Sequence, residues 1–284
     1  MTPADPPPNR SSILGPIELL GKICVSFVVT LGDFVRFFMA ILAGTLRGMD
    51  RFGMREMFSQ MFDLGTLSIP VVMLTGFFIG AVLVIEAYPQ FHALGLASRL
   101  GSVTVLSVVK QIGPVLTGVM LAGRVGGAMT AELGTMRVTE QIEALRSMAA
   151  DPVRTLAVPR VLACVVMTPI LTVFSDILGI FGGWLIAVHV QGINNDQFWH
   201  FARVGVDIYT INTGLIKALF FGLAIGAIAC YKGFRCGNGA QGVGRACTEA
   251  FVSSFIVILI LNLVLALLLT NIYVMVWPNQ PPIL

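Results

Sequence analysis

Five long apolar stretches dominate the pattern of hydrophobic and polar positions: residues 64–85, 100–123, 161–190, 208–231 and 250 to about 277. Only Lys110, Asp176 and Lys217 interrupt them. Each is at least the ~20 residues that carry an α-helix through a hydrocarbon core ~30 Å thick. The pattern predicts an all-α integral membrane protein with five transmembrane helices. Residues 11–49 differ. Glu18, Lys22, Asp33, Arg36 and Arg47 break them, and the longest uncharged runs, 23–32 and 37–46, are each ten residues. That mixture predicts an amphipathic helix, or two, lying in the membrane interface. The rival reading is a sixth span over 23–46, with Asp33 and Arg36 paired one turn apart. Residues 1–10, MTPADPPPNR, read as a disordered tail. No basic leader runs into an apolar core with a cleavage site, so no signal peptide is expected.

Between the second and third stretches lies the most patterned segment, residues 113–152. Small residues recur every fourth position, with Gly118, Ala122, Gly126 and Thr130 on one face and Gly123, Gly127 and Ala131 beside it. This spacing lets a second helix backbone come close. Gly76/Gly80, Gly179/Gly183 and Gly222/Gly226 repeat it in three spans. Beyond Gly134 the apolar period continues through Val138, Ile142, Leu145 and Ala149, opposite Glu140, Glu143 and Arg146. Thr139 is the expected N-cap of this helix and Asp151-Pro152 its stop. A charged amphipathic helix within residues 124–152, wedged between two spans, is suited to being gripped by a protein outside the lipid.

Composition agrees with the pattern: 56% of the 284 residues are hydrophobic, 12% are charged and the mean hydropathy is +0.87. Soluble domains carry about 25% charged residues. A net charge of +3 gives no reason to expect nucleic acid as a partner. The distribution of charge says more. Fourteen Lys and Arg precede the first span or lie in 124–160 and 232–249, whereas the alternate loops hold only Arg99 and Arg203. The positive-inside rule then places the N-terminus and the richer loops in the cytoplasm and the C-terminus in the periplasm. Five cysteines without a CxxC pair, distant in sequence from the three histidines, suggest neither a zinc site nor a disulfide framework. Residues 237–242, GNGAQG, match GxGxxG but follow no strand and precede no Lys-Ser/Thr, so they read as a flexible cytoplasmic loop. No nucleophile–base pair or metal-binding signature is present, and no catalytic role, metal or cofactor of the chain's own is expected.

Ionisable residues within spans are costly and are functional candidates by default. Glu86 and Lys110 lie near span ends, where snorkelling explains them. Asp176 and Lys217 lie deeper. A buried Lys217 calls for an anionic headgroup or a protein partner, with Lys110 as a second cation nearer the mouth and Tyr88 beside it. Leu74, Phe77, Phe78 and Val82 recur at helical spacing in the first span and, with the last span, are candidate apolar walls of a lipid path.

The segment AGRVGGAMTAELGTMRVTEQIEAL followed by DPVRTLAVPR, together with GPVLTGVMLAGR, LGIFGGWL and QGVGRA, resembles the MlaE family of ABC-transporter permeases. These permeases move phospholipid across the Gram-negative envelope, and the likeness covers about residues 55 to 276. It implies a homodimer in the inner membrane. The expected partners are a cytoplasmic ABC ATPase (MlaF-like) that binds the ATP, a STAS-domain subunit (MlaB-like) and a periplasmic MCE-domain hexamer (MlaD-like). It also implies that Lys217, in its LIK context, and the pair Lys110-Gln111 face a lipid-holding cavity. Relatives commonly have Arg-Glu before GPV, so Gln111 departs from the pattern, as do Cys247 and Glu249 in the later loop. The helix around Glu132–Leu145 is implied to dock on the ATPase through Glu132, Gly134, Arg137, Glu140 and Glu143. An ATPase-independent carrier or channel for lipids or other hydrophobic solutes is the alternative, and a membrane scaffold is another.

Overall fold

The structure, a computed structural model, describes residues 14–46 and 51–276. The tail expected over 1–10 and the end of the last span near Trp277-Pro278 lie outside the described residues. The described chain forms nine helices: α1 Leu14–Leu46, α2 Arg51–Thr66, α3 Ile69–Ala93, α4 Ala97–Val138, α5 Gln141–Ser147, α6 Val153–Val190, α7 Asn195–Val204, α8 Ile208–Phe234 and α9 Gly239–Val276. The five expected spans correspond to α3, α4, α6, α8 and α9. At 38 residues, α6 is ~57 Å long at 1.5 Å per residue and overshoots a ~30 Å hydrocarbon core.

The recurrent glycines decide how the spans meet. A methyl group at Gly80 would run into the carbonyl of Gly179, and one at Gly76 would meet Ser175, so α3 and α6 lie parallel with their backbones in contact. Gly222 meets Cys164 and Thr168, and Gly226 meets Val161, which sets α8 antiparallel to α6. Gly118 and Gly126 of α4 receive Phe221 and Ile225 of α8, and the Thr130 hydroxyl donates to the Ala229 carbonyl at 3.1 Å. The predicted small-residue face is thus the α4–α8 seam. The largest core cluster sits at the end of the bundle where α4 and α8 finish and α6 begins, and includes Met129, Leu133, Val158, Val161 and Ala229. A second cluster at the opposite end gathers Val84, Leu100, Ala187 and Phe198.

Three local expectations are corrected. Only Gly237 and Asn238 of the 237–242 segment are loop, because α9 begins at Gly239, whose φ of +74° only glycine adopts readily. Ala246 and Ala250 are buried against neighbours, and Arg245 pairs with Glu249 one turn on, which holds those first turns helical. Thr139 does not cap α5, since its hydroxyl turns back to the Thr135 carbonyl. Glu140, in the left-handed region at φ +59°, makes the break instead. Nor does Asp151-Pro152 stop α5. That helix ends at Ser147, followed by Ala149 at φ +56°, and the Asp151 carboxylate accepts from the Val153 amide to start α6.

The segment expected to lie in the interface is one continuous helix, and Val28–Leu46 is long and apolar enough to cross a membrane, which makes six such helices among the described residues. Its contacts define its placement further. The Thr30 carbonyl accepts from the Tyr231 hydroxyl, Asp33 pairs with Arg235 at 2.9 Å rather than with Arg36, and Gly44 meets Val158. Tyr231, Arg235 and Val158 all belong to one end of the bundle, where α8 finishes and α6 begins.

Candidate functional site

Pro114 shapes α4 around the site. It has no N–H to give the carbonyl four residues back, that of Lys110, and the preceding turn, Val108–Ile112, widens so that the Gly113 amide reaches the Val108 carbonyl. The Lys110 carbonyl is therefore free of its helical partner. Helix α8 approaches this opening closely, because Gly214 lies against the Val109 carbonyl and a side chain there would block the approach. Three residues further along α8, the Lys217 ammonium donates to the Lys110 carbonyl at 3.2 Å and to the Gln111 side-chain oxygen at 2.5 Å.

Lys217 is only 1% exposed and forms no ion pair among the described residues. An ammonium carries three donors. Two of them meet neutral oxygens, so hydrogen bonds satisfy most of the group while no carboxylate pairs with its charge, Asp207 being the carboxylate that lines the adjoining cavity. Beside it opens a cavity of about 290 Å³ between α4, α8 and α9, lined among others by Lys110, Gln111, Tyr209, Thr213, Leu269 and Tyr273. The Tyr209 hydroxyl donates to the Leu269 carbonyl, and the rings of Tyr209 and Tyr273 lie 4.7 Å apart, closing one wall. A buried cation at the base of an amphipathic cavity is equipped to hold an anion that carries apolar groups.

The structure brings Lys110, Gln111 and Lys217 together and leaves the other proposed lipid contacts elsewhere. Leu74, Phe78 and Val82 form one exposed face of α3, and Phe77 turns toward Phe181 of α6. Tyr88 stacks with His92 in the second core cluster. None of these five lines the Lys217 cavity. The last span does supply a wall, through Ala266 and Leu269. Asp176 packs against Gly113 on another side of α4. Its Oδ1 is buried without a hydrogen-bond partner, and a methyl group at Gly113 would collide with it.

At the opposite end, the five coupling candidates separate by environment. Glu140 and Glu143 are exposed, Glu143 pairing with Arg146 at 3.1 Å. Arg137 donates to the Phe234 carbonyl and ties the end of α4 to the end of α8. Gly134 is buried against Cys236 and Val243. Glu132 accepts at 2.6 Å from Arg160, whose side chain is 2% exposed and also donates to the Leu156 carbonyl. Glu132 is thus committed to an internal pair. Sequence reasoning missed Arg160 as more than one of many cations on that side. Its place at the very start of an apolar run was the available signal.

A family model described as Permease MlaE matches residues 57–268. A probable ABC transporter permease protein of Rickettsia felis is 39% identical over 243 residues, covering 86% of this chain and 93% of the relative. The intermembrane phospholipid transport system permease protein MlaE of Haemophilus influenzae is 35% identical over 250 residues, covering 88% and 95%. The chloroplastic protein TRIGALACTOSYLDIACYLGLYCEROL 1 of Arabidopsis thaliana is 35% identical over 212 residues, covering 75% and 61%.

Proposed function

The chain belongs to the MlaE permease family and is a multi-pass membrane subunit of a transporter rather than an enzyme, and from that membership we propose that it carries phospholipid, with the phosphate held at Lys217. The observation that carries this reading is the Lys217 ammonium, buried, met only by neutral oxygens and open to an amphipathic cavity. Isolated charge in a low-dielectric setting costs several kcal/mol or more, so an anionic occupant is strongly favoured there. Gln111 sharpens the preference, because a carboxylate at that position would neutralise the ammonium that the neutral amide leaves charged.

The permease works in the inner membrane as a two-fold dimer, since five spans alone enclose little space and two copies close a central one. The exposed apolar face of Leu74, Phe78 and Val82 is the surface on which a second copy, or lipid held between the copies, fits. ATP is bound by a separate ATPase that grips α5 and its flanks through Glu140 and Glu143. A STAS-domain subunit assembles on that ATPase, and lipid passes to or from a periplasmic MCE-domain hexamer. Helix α1 lies in the cytoplasmic interface: its Thr30–Tyr231 hydrogen bond, Asp33–Arg235 pair and Gly44–Val158 contact go to one end of the bundle, which supports a helix running across that end rather than through the membrane. Reporters placed before Ser11 and after Met49 should both read cytoplasmic. Opposite signals would establish a sixth span.

The lipid site is tested in the reconstituted complex. Lys217→Ala should slow lipid transfer while the complex still assembles, and Lys217→Glu should slow it further by repelling phosphate. Wild-type transfer by both variants would remove Lys217 from the path.

A further inference from the structure

A second place in the molecule sets a charged pocket beside an apolar groove, away from the Lys217 cavity. Where α8 ends and α9 begins, a pocket of about 640 Å³ is lined by Lys232, Arg235, Asn238, Gln241, Arg245 and Glu249. A groove of about 540 Å³ leads from it along α8 and α9, walled by Phe34, Phe38, Phe220, Leu223, Val257 and Leu261. Thr30, Tyr231 and Lys232 line both, so the two spaces adjoin. Each lies within the ~300–1,000 Å³ typical of ligand pockets.

The charges do not balance. Glu249 is shared between Lys232 at 2.9 Å and Arg245 at 3.0 Å, and Asp33 meets Arg235 at 2.9 Å. Three cations thus face two carboxylates. The Arg235 guanidinium also lies over the Tyr231 ring, 4.8 Å from its centre, and its side chain stays half exposed where it lines the pocket. Polar and cationic at one end and apolar along the groove, the site has the polarity sequence of a lipid standing in the leaflet on that side. Helix α1 crosses the junction and holds it through the Tyr231–Thr30 hydrogen bond and the edge-on contact of Phe34 with Tyr231.

We propose that this pocket and groove bind an anionic glycerophospholipid of the cytoplasmic leaflet, its phosphate between Arg235 and Arg245 and one acyl chain along Leu223 and Val257. The site is separate from Lys217 and rests only on the membrane orientation proposed above. It does not require that the bound lipid be transported.

The test uses the full-length permease in nanodiscs, with photoactivatable phosphatidylglycerol and a phosphatidylcholine probe of the same chains. The anionic probe should label peptides 220–235 and 250–261 about fivefold more than the zwitterionic one, the size expected for one rim charge. Arg235→Gln with Arg245→Gln should abolish that preference, and Val257→Trp should reduce labelling by both probes by filling the groove. Lys217→Ala should leave the labelling unchanged, so a failure of the Lys217 reading and a failure of this one are distinguishable. Equal labelling by the two probes would reduce the groove to ordinary lipid contact. Displacement of the probe by inorganic phosphate alone would make the pocket a phosphate site, and loss of labelling when the ATPase is added would make it a protein interface. Any of these three outcomes overturns the proposal.

Discussion

Two buried cations of the same bundle, Arg160 near the start of α6 and Lys217 deep within α8, are treated in opposite ways. Arg160 is matched by a carboxylate, Glu132 at 2.6 Å, and surrounded by the largest core cluster. Lys217, equally buried, receives two neutral oxygens and a cavity. A compensated charge holds two helices together, here α4 and α6. An uncompensated one leaves part of its attraction for something else. The pairing of a buried cation, more than its burial, separates Arg160 as architecture from Lys217 as a candidate site.

The comparison breaks most readily at Glu132. Glu132→Lys should leave Arg160 facing a second cation and destabilise the permease by about 3 kcal/mol, the lower end of the cost of breaking a buried pair because Glu132 is half exposed. Thermal unfolding of the purified protein measures this. An unaltered melting temperature with lost ATPase stimulation would instead make Glu132 a docking contact.

A matched pair of substitutions sharpens it. Arg160→Met should cost about 1–3 kcal/mol by stranding the Leu156 carbonyl and the Glu132 carboxylate. Lys217→Met strands only neutral oxygens and removes an unpaired charge, so it should leave the melting temperature the same or higher while transfer falls. Equal destabilisation by both would mean that Lys217 is as structural as Arg160.

The smallest expected effect is at Pro114. Pro114→Ala returns an N–H that competes with Lys217 for the Lys110 carbonyl, worth about 1 kcal/mol or roughly fivefold in lipid affinity. A retention assay with labelled phospholipid reads it, and an unchanged affinity would mean that the widened turn does not set the site.

Much of this was legible in the chain itself. Hydrocarbon demands ~20 apolar residues per crossing, so five of the six helices that are long and apolar enough to cross followed from run lengths alone. Small residues at four-residue spacing foretold the close seams, because only they let backbones touch, and Gly76, Gly80, Gly179 and Gly222 do so. Lys217 was legible as a costly residue in an apolar run. What sequence could not give were relations between distant residues. That Glu132 answers Arg160, that Gln111 rather than a carboxylate answers Lys217, and that Asp33 reaches Arg235 depend on which faces meet after packing. The separation of Leu74, Phe78 and Val82 from the Lys217 cavity has the same origin, since helical spacing assigns residues to a face but not the neighbour of that face. Tertiary structure also overrode local signals at Glu140, which makes the helix break that capping preferences had assigned to Thr139, and at Gly239, where a helix begins inside a segment that read as a loop. Local chemistry determined which segments are helices and which are long and apolar enough to cross a bilayer; long-range packing decided which charges are answered by a carboxylate and which are not.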